Sequence, residues 1–236
     1  MRALELPPGG TFPRITAASP VLAVCLWITC LFNTGLAAQA AAPERKVAGH
    51  TIISRRDPSV RIELLQSATY VGADRFVLYG IADCELHAFV ESDAHKNIQR
   101  LYWVQFEAYL PSKPGLHHTY DSPRHTTIGG LDFYVDTWVR AAAERTTPGS
   151  DLEHIQALVK AKGYKWPAGM MSVRLVHLLD AAKRKELMII YSEQLAPTGF
   201  TGAELQPGGK AHDQWPAIEK GLIERAKGNV RIANRN

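Results

Sequence analysis

The stretch IQRLYWVQFEAYL, residues 98–110, decides the fold. Its apolar residues alternate with a period of two, as expected of a β-strand whose side chains point to opposite faces of a sheet. Aromatic residues occur in both alternating sets, so both faces are predicted to be covered and the strand to lie in the middle of the sheet. One set contains Tyr102, Val104, Phe106 and Leu110, and the other contains Leu101, Trp103 and Tyr109.

The same alternation on both sides of this stretch predicts the other strands of the sheet. The predicted strands cover residues 60–64, 75–79, 82–90, 127–139, 171–179 and 186–192. A turn at residues 92–97 joins the central strand to its predecessor as an antiparallel hairpin, and the last two strands form a second hairpin. Residues 127–139 are predicted to be one strand that bends or bulges at Gly129 and Gly130.

In two segments the apolar residues recur at helical spacing and no longer alternate. Residues 151–162 form the first predicted helix, because Ser150 and Glu153 have the spacing of a reciprocal N-terminal cap and Gly163 is placed to end it. Residues 215–227 form the second, with apolar residues at helical spacing. We therefore predict an α+β fold, with a curved, mainly antiparallel sheet of six to eight strands and two principal helices packed on it.

An uncharged apolar run at residues 21–32 follows Arg14 and leads into the small-residue pattern Ala38-Gln39-Ala40. These are the parts of a secretory leader, and the run is shorter than the roughly 20 residues that a membrane-spanning helix needs. We predict a signal peptide over residues 1–40 and a single exported α+β domain over residues 41–236, located in the periplasm or secreted. An uncleaved N-terminal anchor is the alternative.

The charge of the predicted mature domain narrows the class of partner. The whole chain has 27 basic and 23 acidic residues, and loss of Arg2, Arg14 and Glu5 with the leader leaves 25 and 22, a net charge of +3. The positive charges are not gathered into a patch, so we predict no nucleic-acid partner. No second apolar run of spanning length follows, so no membrane span is predicted after signal removal.

Cysteine usage predicts a domain without an intrachain disulfide. Cys25 and Cys30 lie in the predicted leader, which leaves Cys84 as the only cysteine of the predicted domain. Cys84 shares an apolar strand face with Ala82 and Leu86, so we predict a buried structural thiol.

The segment LHHTYDSPRH, residues 116–125, is the densest polar constellation in the chain. Imidazole and carboxylate groups are ligands of zinc, copper and iron, so His118 and His125 are candidate metal ligands. The competing interpretation is a solvated polar loop, because the histidine spacing matches no familiar metal site and Asp121, Ser122 and Pro123 are ordinary turn residues.

Trp103, Glu107 and His177 are three further candidates, for binding a ligand. Glu107 shares a strand face with Trp103, and a carboxylate beside aromatic rings orients a ligand if that face lines a pocket. His177 lies on an otherwise apolar face. A lone histidine there is usually a hydrogen-bonded core residue, and beside a cavity it is a candidate base.

Glu85 and His87 share the alternate face of their strand, for which a wet, charged surface is the simpler interpretation.

No catalytic or cofactor-binding motif stands out in the predicted domain, and no cofactor is predicted. Export and long strands with aromatic residues on both faces favour a non-enzymatic protein that binds a small apolar or amphipathic ligand, or a protein partner. The alternative is a metal-binding protein or metal-dependent enzyme that uses the histidine-rich loop at residues 117–125.

Overall fold

The structure is a computed structural model that describes residues 42–140 and 146–234. The signal peptide predicted over residues 1–40 lies outside the described residues. Three α-helices and eleven strands are found in the described ranges, which confirms the predicted α+β class. The helices are α1 (Asp151–Ala161), α2 (Gly202–Leu205) and α3 (Trp215–Asn229).

The strands form two mainly antiparallel sheets, a large one of seven strands and a small one of four. In chain order the strands are β1 (Lys46–Ala48), β2 (Thr51–Ile53), β3 (Val60–Leu64), β4 (Thr69–Leu78), β5 (Ala82–Ser92), β6 (Ile98–Tyr109), β7 (His125–Ile128), β8 (Leu131–Arg140), β9 (Met170–Leu178), β10 (Lys185–Gln194) and β11 (Val230–Asn234). The large sheet has the order β4-β5-β6-β10-β9-β8-β7, and the small sheet has the order β1-β2-β3-β11.

The opening stretch forms β6, which lies inside the large sheet as predicted. It pairs with β5 on one side and with β10 on the other, so that Trp103 lies opposite Ala88 and Ile190. Because side chains alternate along a strand, β6 contributes to both faces of the sheet. We call the side that carries Val104 and Phe106 the α3 face, and the side that carries Trp103 and Glu107 the α1 face.

The α3 face is packed against the small sheet and helix α3. Side chains of β6 and β10 are buried there together with Ile62 of β3, Leu222 of α3 and Ile232 of β11. The buried part of this core includes Ile52, Phe89, Tyr102, Val104, Phe106, Phe133, Leu175, Leu187, Ile189 and Tyr191. Burial of apolar surface on this scale is the main stabilising contribution to the fold.

Helix α1 covers part of the α1 face. Its N-terminus is capped as predicted by Ser150, whose Oγ accepts a hydrogen bond from the Glu153 backbone N–H at 3.3 Å, although the Glu153 carboxylate accepts from the backbone of Gly149. The helix is followed by Gly163 at φ +78°, a conformation that favours glycine. Ile155 and Val159 of α1 are buried against the sheet.

One strand prediction was wrong. Residues 127–139 form a hairpin of β7 and β8 and not one bent strand, because Gly129 and Gly130 have φ values of +58° and +80° and reverse the chain. Two successive residues with positive φ are what a tight two-residue hairpin turn requires. Gly129 also lies against the backbone of Ile232, where a Cβ atom would be 2.0 Å from the carbonyl oxygen.

The small sheet was not predicted beyond Val60–Leu64. Its strands β1 and β2 have only three residues each, too few to show an alternation. The strand β11 follows α3 directly and pairs with β3 in antiparallel register. In the described part of the chain, no helix has the length and apolar character needed to cross a membrane. Cys84 is a free, buried cysteine, as predicted.

Candidate functional site

A cavity of about 290 Å³ opens on the α1 face, between helix α1, the sheet and the segment that precedes β9. Three tryptophans line it: Trp103 from β6, Trp138 from β8 and Trp166 from the loop after α1. Trp103 is only 5% exposed, and its indole N–H donates a hydrogen bond to Gln105 at 3.0 Å. Indole rings supply large apolar contact areas, so the lining of the cavity is of the kind found at small-molecule sites.

Polar groups occupy one part of the cavity lining. Asp151 begins helix α1, and its carboxylate accepts a hydrogen bond from the Leu152 backbone at 2.8 Å. Arg174 of β9 donates to Asp136 at 2.7 Å and lies over the Tyr120 ring at 5.2 Å. Burial raises the pKa of Asp151, so the cavity wall contains a carboxyl group in a poorly solvated position.

Two glutamates face each other across the strands beside this cavity. Glu107 of β6 lies directly opposite Glu186 of β10, so both side chains project from the α1 face. Glu107 accepts hydrogen bonds from the Gln105 amide at 3.0 Å and from the Cys84 thiol at 3.4 Å. Glu186 is 3% exposed and accepts a hydrogen bond from the Tyr120 hydroxyl at 2.6 Å.

His118 completes this cluster from the loop between β6 and β7. Arg184 fixes the loop, because its guanidinium donates to five main-chain carbonyls of the loop and the end of β6, including that of Leu116 at 2.7 Å. The His118 backbone N–H also donates to Lys183 at 2.8 Å. The interpretation of residues 116–125 as a freely solvated loop is therefore wrong for His118, which is 6% exposed.

The imidazole of His118 has one nitrogen close to Glu186 and a second nitrogen without a hydrogen-bond partner. Nδ1 lies 3.1 Å from Glu186 Oε2, and the ring packs on Tyr109 at a centroid distance of 4.5 Å. Nε2 is buried and has no hydrogen-bond partner of acceptable geometry among the described residues. One potential ligand atom from each of Glu107, His118 and Glu186 lies within 4.8 Å of the other two.

Burial controls the protonation of the cluster. It raises the pKa of Glu186 to about 7, an effect that the Tyr120 hydrogen bond and the Arg174 charge oppose and that the neighbouring charge of Glu107 reinforces. It also raises the pKa of Glu107, against hydrogen bonds from Gln105 and Cys84. Burial lowers the pKa of His118 to about 4, although the charge of Asp180 and the main chain of Arg184 act in the opposite direction. At neutral pH the imidazole is therefore uncharged.

A second buried acid and histidine lie on the α3 face. Glu85 and His87 are 2% and 0% exposed, so the interpretation of this strand face as a wet, charged surface was wrong. The Glu85 carboxylate accepts hydrogen bonds from His87 at 2.8 Å, from the backbone N–H groups of Glu44 and Arg45 at 2.8 Å each, and from the Arg45 guanidinium at 3.1 Å. The other His87 nitrogen lies 3.3 Å from the Tyr70 hydroxyl.

The structure brings three of the five predicted site residues to the α1 face at or beside the cavity. Trp103 lines the cavity, and Glu107 and His118 belong to the neighbouring cluster. His125 is exposed and lies beside the Tyr134 ring at 4.5 Å, outside the cluster. His177 lies on the α3 face, opposite Leu187, and its Nδ1 is 2.9 Å from the main-chain oxygen of Asp132.

Sequence reasoning missed Glu186, Tyr120 and two of the cavity tryptophans. Glu186 is an acid at the start of an apolar interior strand, which is the one signal that singles it out. Trp138 and Trp166 lie far apart in the chain, and only the pairing of β8 with β9 and the path after α1 place them together.

Comparisons of the chain with protein-family models, with curated proteins and with solved structures found no match. The function is therefore inferred from the geometry of the chain itself.

Proposed function

We propose that this protein is a non-enzymatic binding protein for a small amphipathic ligand, held in the cavity on the α1 face. The observation that carries the proposal is the convergence of Trp103, Trp138 and Trp166 on one cavity of about 290 Å³. The leader-like residues 21–32 and 38–40 support a location in the periplasm or outside the cell.

The lining of the cavity defines the chemistry of the ligand. Apolar side chains and indoles surround most of it, which favours a flat or compact apolar body. Arg174 and Asp151 supply charged groups at the lining, and they select a ligand with a polar end. The volume is close to the lower limit of about 300 Å³ for ligand pockets, so the ligand is a small molecule and not a polypeptide segment.

The probe 1-anilinonaphthalene-8-sulfonate tests this proposal, because it is amphipathic and accepts excitation energy from nearby indoles. We expect saturable binding of one probe per folded chain, with quenching of tryptophan fluorescence. The substitution Trp166→Ala removes an aromatic ring from the cavity lining. It is expected to raise the dissociation constant of the probe about tenfold, which corresponds to about 1.4 kcal/mol.

Trp215→Phe is the matched control, since Trp215 packs against the core of the α3 face. It should leave the dissociation constant of the probe unchanged. Circular dichroism and the melting temperature establish that each variant is folded. Probe binding that is absent, or that is weakened equally by both substitutions, would contradict a site at this cavity.

A further inference from the structure

The cluster of Glu107, His118 and Glu186 has the spacing of a metal site. One potential ligand atom from each residue lies within 4.8 Å of the others, and the three come from β6, the loop after it and β10. Bonds of about 2.0–2.2 Å from zinc to nitrogen or oxygen separate neighbouring ligand atoms by about 3–4 Å. Small side-chain rotations are therefore enough to bring all three groups onto one ion.

The carboxylates of the cluster have no cation in direct contact among the described residues, and the charge of Arg174 acts on Glu186 without an ion pair. Among the described residues, no lysine or arginine forms an ion pair with Glu107 or Glu186, and Arg174 is paired with Asp136. A buried carboxylate at Glu186 beside a half-buried one at Glu107 is electrostatically unfavourable unless a proton or a cation lies between them. A divalent ion compensates both charges at once.

His118 provides an observation independent of the acidic pair. Its side chain is 94% buried, since 6% is exposed, yet its Nε2 has no hydrogen-bond partner of acceptable geometry in the described part of the chain. A buried polar atom without a partner costs about 1–3 kcal/mol, so such an atom is unusual unless a function requires the residue.

We propose that Glu107, His118 and Glu186 bind one divalent first-row transition metal ion, with zinc as the reference ion. A set of one imidazole nitrogen and two carboxylate oxygens suits this class of ion. Hydrogen bonds from Tyr120 to Glu186 and from Gln105 to Glu107 hold the carboxylates in place, as outer partners do at metal sites. The site is separate from the ligand cavity, and either can exist without the other.

The metal content of the natively purified protein, measured by mass spectrometry, is the first part of the test. The second part is a titration of chelator-treated protein with Co²⁺, whose visible absorption reports the number and type of ligands, followed by competition with Zn²⁺. We expect one ion per chain. Glu186→Gln and Glu107→Gln keep the side-chain shape, and each should weaken Co²⁺ binding by more than about 100-fold.

His118→Phe keeps the ring that packs on Tyr109 and removes both nitrogens, so it should abolish the Co²⁺ spectrum and leave the metal-free protein folded. His117→Gln is the matched control, because His117 is the exposed neighbour of His118. His125→Gln should also leave binding unchanged. The melting temperature of each metal-free variant confirms its fold.

Absence of both a stoichiometric native ion and saturable Co²⁺ binding would overturn the proposal. It would also be overturned by Co²⁺ binding that survives in Glu186→Gln and His118→Phe, because the ion would then lie elsewhere. Loss of binding in His125→Gln or His117→Gln with retention in His118→Phe would assign the metal to the surface of the loop and reject the buried cluster.

Discussion

Two buried groups of acids and histidines lie on opposite faces of the same sheet, and they differ in how well their polar atoms are partnered. On the α3 face, Glu85 accepts four hydrogen bonds and is balanced by Arg45. On the α1 face, Glu107 and Glu186 lie together, and neither forms an ion pair with a lysine or arginine among the described residues. His118 Nε2 has no hydrogen-bond partner there. The same residue types serve the fold on one face, and on the other they form a candidate site.

The two faces also differ in packing, and the α3 face is again the more completely satisfied of the two. The α3 face is covered by the small sheet and α3, and its central aromatic and aliphatic side chains are fully buried. The α1 face is covered only in part by α1, and it retains the cavity lined by three tryptophans. We therefore expect substitutions on the α3 face to act mainly on stability and substitutions at the α1-face cavity to act mainly on probe binding.

Neighbouring isoleucines of β10 give the most direct comparison of the two faces. Ile189 is 0% exposed on the α3 face, whereas Ile190 is 6% exposed and lines the cavity on the α1 face. Ile189→Ala should lower the free energy of unfolding by about 4 kcal/mol, because it leaves a void in a close-packed core. Ile190→Ala should lower it by about 2 kcal/mol, because part of its surroundings is already empty.

Urea unfolding followed by circular dichroism measures both values. The two positions are adjacent in the same strand, so differences in β-propensity cancel in the comparison. Equal losses of stability would mean that the α1 face is as tightly packed as the α3 face.

The buried carboxylate on the α3 face should make the fold sensitive to acid. Burial alone would raise the pKa of Glu85, but hydrogen bonds from His87 and the Glu44 and Arg45 backbones, with the Arg45 charge, lower it to about 2 from an ordinary 4.5. A carboxyl whose pKa is lowered by folding stabilises the protein above the unfolded-state pKa. That contribution, about 3 kcal/mol, is lost as the pH falls from about 4.5 to 2.

Glu85→Gln should therefore destabilise the protein by about 3 kcal/mol at pH 7, and this difference should shrink toward zero at pH 2. Urea unfolding at a series of pH values measures it. Glu186→Gln on the α1 face is the control. In the metal-free protein its carboxyl has a pKa of about 7 and is already protonated through this window, so its effect on the stability of that form should not change between pH 4.5 and 2. If the destabilisation by Glu85→Gln and by Glu186→Gln had the same pH dependence, the two faces would not differ in how they hold a buried carboxyl group.

The class of fold and its central strand were predictable from the sequence, because side-chain alternation is a local property. The IQRLYWVQFEAYL stretch is buried on both faces, and the capping residue Ser150 begins α1. The small sheet was not predictable, because β1 and β2 are too short to show a period and β11 follows a helix without a break. The Gly129-Gly130 hairpin was misread because two adjacent glycines fit a bulge within one strand as well as a two-residue hairpin turn.

The candidate site was predictable only one residue at a time. Glu107 and His118 were singled out for separate roles, and only the pairing of β6 with β10 shows that Glu186 joins them. Glu85 and Glu107 both alternate with apolar residues, so their local patterns are alike. Each has a local partner two residues away, His87 or Gln105. The neighbours that distinguish them, Glu44 and Arg45 for Glu85 and Glu186 for Glu107, are distant in the chain, and a local pattern carries no information on these.

Helix caps give the smallest and most selective test of the two faces. Ser150→Ala removes the cap of α1, whose first residues line the cavity, and should cost about 1 kcal/mol of stability and weaken probe binding about threefold. Thr201→Ala removes the corresponding cap of α2, whose Leu205 packs into the α3-face core. It should cost a similar amount and leave the probe dissociation constant unchanged. If both caps weaken probe binding equally, the affinity follows global stability and not the first turn of α1.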